Sequence, residues 1–210
     1  PVPMSRLLQG DVGSGKTIIA IASLLLVIEK NLQGAFMVPT EVLAEQHYKN
    51  LLKYLNPLLV SVELLTGNTP QKKRKEIFSN LKNGLVDILV GTHALFEDKV
   101  IFNALGMVVI DEQHRFGVTQ RNRLLNKGEN TNLLSMTATP IPRTLALSIY
   151  GDLDVSQITE LPPGRVPITT KIISEDDLTN LFKIVEDEIN KGKQAYVILP
   201  LIEDSEKMNL

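Results

Sequence analysis

Short apolar runs alternate along the chain with longer stretches in which apolar positions recur at helical spacing. The short runs, Arg6–Gln9, Ala35–Val38, Val60–Leu65, Val86–Val90, Gly106–Ile110 and Asn132–Met136, read as strands. Between them, Lys16–Glu29, Glu41–Tyr54, Gln71–Asn83, Gln120–Asn126 and Ile141–Tyr150 read as helices. In Glu41–Tyr54 the positions Val42, Leu43, Leu51, Leu52 and the adjacent Leu55 predict one buried face. Alternation of this kind predicts an α/β fold, a parallel sheet covered on both faces by helices.

The rhythm pauses near residue 151. Gly151-Asp152 and Leu161-Pro162-Pro163-Gly164 are turn or linker chemistry, so a first lobe is expected over residues 1–150 and a linker over 151–166. Pairing resumes with a strand at Ile168–Ile173, a helix at Glu175–Asn190 and a strand at Gln194–Leu199. Residues 167–210 are too few for a stable α/β domain and read as the truncated start of a second one. The chain opens on Pro1 rather than Met, so residues are expected upstream. The longest apolar stretch, Ile18–Ile28, falls well short of the roughly 20 residues that span a bilayer, and no secretory signal opens the chain. No membrane association is expected.

Composition then narrows the class. With 210 residues, 43% hydrophobic and 22% charged, the chain can bury a core. The absence of cysteine excludes a disulfide framework and a Cys-based zinc site. It fits a reducing compartment, although many exported bacterial proteins also lack cysteine. The net charge of −2 argues at first sight against a nucleic-acid partner. It averages two unlike parts, however. Residues 1–165 carry 17 basic and 15 acidic side chains, and the remainder carry 5 and 9. The change of sign marks the expected boundary. Aromatic residues make up only 5%, with no tryptophan, which suits a protein that grips phosphates better than one that stacks on bases.

Three clusters carry chemistry. Gly10-Asp11-Val12-Gly13-Ser14-Gly15-Lys16-Thr17 matches the phosphate-loop pattern at every required position, after a strand and before a helix. Backbone N–H groups and the helix dipole would meet phosphate oxygens, Lys16 would reach the β and γ phosphates, and Thr17 would ligate Mg²⁺. The apolar run Met107–Ile110 ends in Asp111-Glu112-Gln113-His114. There Asp111 would hold Mg²⁺ and Glu112 would orient or deprotonate an attacking water. Alone, such a pair is a solvated strand end, and His114 alone is an ordinary surface residue. Thr137-Ala138-Thr139-Pro140 closes the next strand, where hydroxyls can bridge to neighbours or simply cap the following helix.

In that order, Gly10–Thr17, Asp111–His114 and Thr137–Thr139 resemble motifs I, II and III of superfamily 2 helicases. Val38-Pro39-Thr40-Glu41 resembles motif Ia, and Thr66-Gly67 and Gly91-Thr92-His93 resemble motifs Ib and Ic. Longer strings are similar to the RecG family of bacterial DNA helicases. They are Leu7–Thr17, Asp111–Val118, Met136–Leu147, Tyr150–Val155, Leu161–Arg165 and Tyr196–Glu203. Transcription-repair coupling translocases share much of this, but have Asp-Glu-Glu-His at the acidic box and lack the Tyr150-Gly151-Asp152-Leu153-Asp154 string. A non-catalytic binding lobe is a third reading, opposed by intact Lys16, Thr17, Asp111 and Glu112.

The resemblance implies a RecA-like motor lobe that binds ATP and Mg²⁺ and works on branched or duplex DNA. It also implies a wedge domain upstream, the rest of a second lobe downstream, and a cytoplasmic, nucleoid-associated, monomeric protein. It adds His114 to Lys16, Asp111 and Glu112 as catalytic candidates. Thr40, Thr66, Gly67, Thr92 and His93 become candidates for nucleic-acid contact, and Gln113, Thr137, Thr139 and Arg143 for coupling. Read as residues alone, the Thr and Gly positions are turn and cap chemistry. Lys72-Lys73-Arg74-Lys75 is either a solvated face or a DNA-facing one, and Arg115, Arg121 and Arg123 are further cationic candidates.

Overall fold

The computed structural model describes residues 2–139, 153–160, 170, 172–174 and 177–198. The side chain of His114 and the whole of Arg143, with the helix expected at Ile141–Tyr150, lie outside the described residues. The chain divides into two compact units, Pro1–Gly164 and Arg165–Leu210.

Among the described residues of the first unit seven strands form one sheet: β1 (Ser5–Gly10), β2 (Gln33–Met37), β3 (Val62–Leu65), β4 (Ile88–Gly91), β5 (Leu105–Ile110), β6 (Asn132–Thr137) and β7 (Asp154–Ile158). Their spatial order is β3-β4-β2-β5-β6-β1-β7, and every pairing is parallel. The helices α1 (Lys16–Ile28), α2 (Glu41–Leu55), α3 (Gln71–Lys82) and α4 (Val118–Leu125) connect them. Successive side chains on a strand point to opposite faces, and the core splits accordingly. Leu8, Phe36, Val90, Met107, Val109 and Leu134 pack with Ala20, Leu24, Ala44 and Leu51 of α1 and α2. Leu7, Ala35, Met37, Leu89, Val108 and Ile110 pack on the other side with Ile77 and Leu81 of α3 and Leu124 of α4. Burial on both faces explains the near-continuous apolar runs of the central strands.

Several expectations shift. The buried face of α2 is Ala44, His47, Leu51 and Leu55, while Val42 is 76% exposed. The helix therefore turns a histidine inward where an apolar stripe was expected. Helix α4 starts at Val118 rather than Gln120, because the Gln120 side chain accepts the Gly117 N–H (3.1 Å) and closes the first turn. The linker expected over 151–166 contains β7, the sheet's edge strand beside β1. Its polar sequence hid it. Asp154 and Ser156 accept from the Arg6 guanidinium (3.1 and 2.7 Å), and Gln157 donates to Gln9 (2.7 Å), so polar cross-strand pairs add to the packing of Val155 and Ile158 on the core.

The second unit contains helix α5 (Leu178–Asn190). The strand expected at Gln194–Leu199 is not formed over residues 194–198, and residues 170, 172 and 173, the described part of the strand expected at Ile168–Ile173, are irregular. Tyr196 and Ile198 are 87% and 91% exposed. A strand pattern without a sheet to join leaves its backbone groups to water.

Candidate nucleotide and nucleic-acid site

Parallel strands all deliver their carboxyl ends to one edge of the sheet, where loops can converge on a ligand. Register keeps those ends level: Gly91 lies beside Leu65 and Met37, Met37 beside Ile110, and Thr137 beside Gln9. The strand order then sorts the motifs. The phosphate loop after β1, Asp111-Glu112 after β5 and Thr137–Thr139 at the end of β6 stand on three adjacent strands. Thr40 follows β2, Thr66-Gly67 follow β3 and Thr92-His93 follow β4, the three strands on the other side of the same edge.

Gly13 and Gly15 sit at φ 80° and 95°, a region closed to most side chains, which lets the loop wrap tightly before α1. Ser14 donates its N–H to the Asp11 carbonyl (3.1 Å), and Val12 donates to Asp11 Oδ1 (2.7 Å). Lys16 Nζ donates to the Gly10 and Asp11 carbonyls (2.7 and 2.9 Å). Those contacts orient the ammonium without cancelling its charge. Ser14 Oγ is enclosed without a partner among the described residues. Together with the start of α1, these groups make a cradle suited to an anion.

Asp111 is anchored from the sheet, its N–H donating to the Met37 carbonyl (2.9 Å). Its Oδ1 accepts the Glu112 N–H (3.0 Å), and its Oδ2 meets His47 Nε2 (3.0 Å). Glu112 is held at φ 52°, ψ 51°, a left-handed conformation that costs a non-glycine residue about 1–2 kcal/mol. Gln113 is 2% exposed and both its amide atoms lack partners among the described residues. Thr137 Oγ1 and Thr139 Oγ1 lie 2.8 Å apart, and Thr137 Oγ1 also accepts the Thr139 N–H (3.1 Å). Thr17 and Asp111 offer oxygen donors only, which suits a hard divalent cation. Among the described residues no cluster of three or more His, Cys, Asp or Glu could form a complete cage.

On the other side of the edge, Thr40 caps α2, its hydroxyl accepting the Leu43 N–H (3.3 Å). Thr66 and Thr92 are buried, whereas Gly67 and His93 are exposed. Thr66 N–H donates to Thr69 Oγ1 (2.9 Å). A cleft of about 570 Å³ is lined by Pro39, Thr40, Leu43, His93, Glu112 and Arg115, so it joins two of the contact candidates to the acidic box. The basic run divides. Lys73 pairs with Glu63 (2.9 Å), whose carboxylate pushes the Lys73 ammonium pKa up. Arg74 turns inward to Glu97 (2.6 Å) and to the Thr66 and Thr69 carbonyls (2.6 and 3.2 Å). Lys72 and Lys75 stay exposed. Arg121 is buried at 7% exposure and is removed from the surface candidates. Arg123 pairs with Asp98 (2.7 Å), and Arg115 is exposed. His47 escaped the sequence reading. Its one signal is a polar residue three after Ala44 and four before Leu51, on the buried stripe of α2.

A parallel sheet with a phosphate loop on one strand and an acidic box two strands away defines a RecA-like P-loop NTPase lobe. The chain belongs to the DEAD/DEAH box helicase family, whose model matches residues 4–147. It is 54% identical over its whole length to the ATP-dependent DNA helicase RecG of Synechocystis sp., of which it covers 25%. It is 57% identical to the RecG of Aquifex aeolicus, of which it covers 27%. The chain therefore spans about a quarter of the length of these relatives. A solved structure of RecG bound to a three-way DNA junction superposes with a TM-score of 0.80 at 46% identity, covering 95% of this chain and 27% of that one. A DNA- and AMPPNP-bound MrfA helicase, at 17% identity and a TM-score of 0.65 over 89% of this chain and 30% of that one, shares the fold.

Proposed function

We propose that this chain is the ATP-binding motor lobe, with the beginning of the second lobe, of an ATP-dependent DNA helicase or translocase. It remodels branched DNA such as stalled forks and Holliday junctions, in recombination and repair. The observation that carries this reading is the division of one sheet edge: nucleotide chemistry on β5, β6 and β1, and backbone-contact loops on β2, β3 and β4. ATP hydrolysis and strand contact then share one rigid support.

In this reading the phosphate loop Gly10–Thr17 cradles the nucleotide phosphates. Lys16 neutralises charge there, and Glu112 orients or deprotonates the attacking water. Thr17 and Asp111 hold Mg²⁺, which when bound neutralises phosphate charge. His114 completes the acidic box, and Gln113, Thr137, Thr139 and Arg143 relay between the nucleotide and DNA sides. Thr40, Gly67 and His93 contact the DNA backbone through N–H and hydroxyl groups, contacts that carry no base identity, and the buried Thr66 and Thr92 belong to the same contact loops and present their backbone there. The protein acts as a monomer in the bacterial cytoplasm, on the nucleoid. A wedge domain and the rest of the second lobe, in the same chain, supply junction recognition and an arginine finger.

The test is ATPase and unwinding by the full-length protein on fork, duplex and single-stranded DNA, beside Lys16→Ala and Glu112→Gln. Fork-stimulated ATPase lost in both variants is the expected outcome, with the isolated 210 residues turning over negligibly. An arginine finger is worth about 10³–10⁵ in rate in related NTPases. Activity confined to a stalled RNA polymerase would favour a transcription-coupled translocase. DNA-independent turnover that survives both substitutions would overturn the proposal.

A further inference from the structure

Helix α2 touches both halves of the divided edge. At its start, Glu41 holds the loop after β3: Glu41 Oε1 accepts the Asn68 N–H (3.3 Å), and Asn68 Nδ2 donates to Glu41 Oε2. The fit is close, since a Cβ on Gly67 would lie 2.9 Å from Glu41 Oε1. Thr40 caps the same turn. The two loops nominated for DNA contact by motifs Ia and Ib are thus fastened to one helix end.

Six residues on, about 9 Å along the axis, the same helix carries His47. Its Nε2 meets Asp111 Oδ2 at 3.0 Å, with the two side chains 10% and 15% exposed. The ring lies on Phe36 of β2, centroids 4.8 Å apart. Nδ1 is buried without a partner among the described residues, which suits a bare lone pair there and the proton on Nε2, donating to the carboxylate. The other oxygen of Asp111 is fixed by the Glu112 N–H. So one carboxylate oxygen is set by its own strand end and the other by the helix that reaches the DNA side.

We propose that His47 is a positioning residue that couples DNA contact at the start of α2 to the orientation of Asp111. This rests on the nucleotide and DNA roles proposed above. A load on Thr40 or on the Gly67 loop moves α2, and His47 is the point at which that movement reaches the acidic box. Coupling of this kind is reciprocal, so bound nucleotide changes DNA affinity by the factor that DNA changes nucleotide affinity.

The test uses the full-length protein with His47→Leu, which keeps bulk and loses the donor, and His47→Gln, which restores an N–H near the place of Nε2. DNA affinity is measured with and without a non-hydrolysable ATP analogue and Mg²⁺, alongside ATPase kinetics with and without DNA. In wild type the analogue shifts DNA affinity by about 5- to 150-fold, the usual range of allosteric coupling. In His47→Leu the shift collapses to within about twofold, DNA-stimulated kcat falls about tenfold and KM for ATP changes less than threefold, as expected for loss of coupling without loss of uniform binding. His47→Gln recovers most of the shift. An unfolded His47→Leu would be recognised by its thermal transition, and the decision then passes to His47→Gln against His47→Asn, whose shorter side chain withdraws the donor. Full coupling in a donor-free variant that folds overturns the role of His47. Absence of coupling in wild type itself overturns instead the reading on which it rests.

Discussion

Single residues in this lobe have effects that their sequence neighbourhoods do not announce. Gln33 opens β2 and is 4% exposed, yet its amide is fully used. Nε2 donates to the Leu81 and Val86 carbonyls (2.9 and 2.7 Å), and Oε1 accepts the Asn103 and Ala104 N–H groups (2.7 and 3.0 Å). It ties the last turn of α3 and the connections entering β4 and β5 to one strand. Gln33→Leu is nearly isosteric but strands three backbone groups, the Leu81 carbonyl keeping the Gly84 N–H (3.1 Å), at about 1–3 kcal/mol for each buried group left unpaired. Urea unfolding is expected to show a loss of at least about 3 kcal/mol, and a loss under 1 kcal/mol would mean that water replaces the amide. Glu112 is the converse case, an acidic residue in a left-handed conformation that costs energy, a kind of strain that clusters at active sites and switch regions. The type of both residues was legible in the sequence. Neither the four partners of one nor the backbone angle of the other was, because both depend on segments distant along the chain.

At the scale of elements, α3 shows how a charge run can mislead. Lys72–Lys75 reads as one cationic patch, but helical geometry sends consecutive residues about 100° apart, so the run is shared between faces. Arg74 meets the carbonyls of the loop after β3, and Glu97 just past the turn that follows β4. It therefore braces both loops. Arg74→Ala is expected to cost about 1–3 kcal/mol of stability, the range for a part-buried, charge-assisted bond. It should weaken DNA binding with no change in salt dependence. Lys72→Ala, at an exposed cation, should lower the slope of log affinity against log salt by about 1 if it meets DNA. A fall in the Arg74→Ala slope of the same size would return Arg74 to the phosphate contacts. The strands and helices themselves were largely legible, because apolar period and length distinguish them. The inward histidine of α2 and the strand β7 were not, because their stabilising partners are polar and lie on other elements.

For the whole molecule, β7 decides where the first lobe ends. It covers the free edge of β1, beside the phosphate loop, and is joined to it through Arg6, Gln9 and their partners. A chain stopped at residue 150 leaves that edge unpaired, a liability for both stability and aggregation. It should unfold at lower denaturant than a chain stopped at Gly164 and self-associate at concentrations where the longer one stays monomeric. Equal midpoints with no association would show that β7 is dispensable. The change of sign in charge near residue 165 falls within a residue of the boundary between the two compact units. The sequence by itself determined the fold class, the phosphate loop and the acidic box, since these rest on local period and on residue types at fixed short spacing. The tertiary structure alone decided which strands are neighbours, that α2 links Asn68 to Asp111, that Arg74 and Arg121 turn inward, and that the mixed pentapeptide of β7 closes the sheet. Each of those is a pairing between residues far apart in the chain, and the pattern along a sequence records the burial of a position without naming what it is buried against.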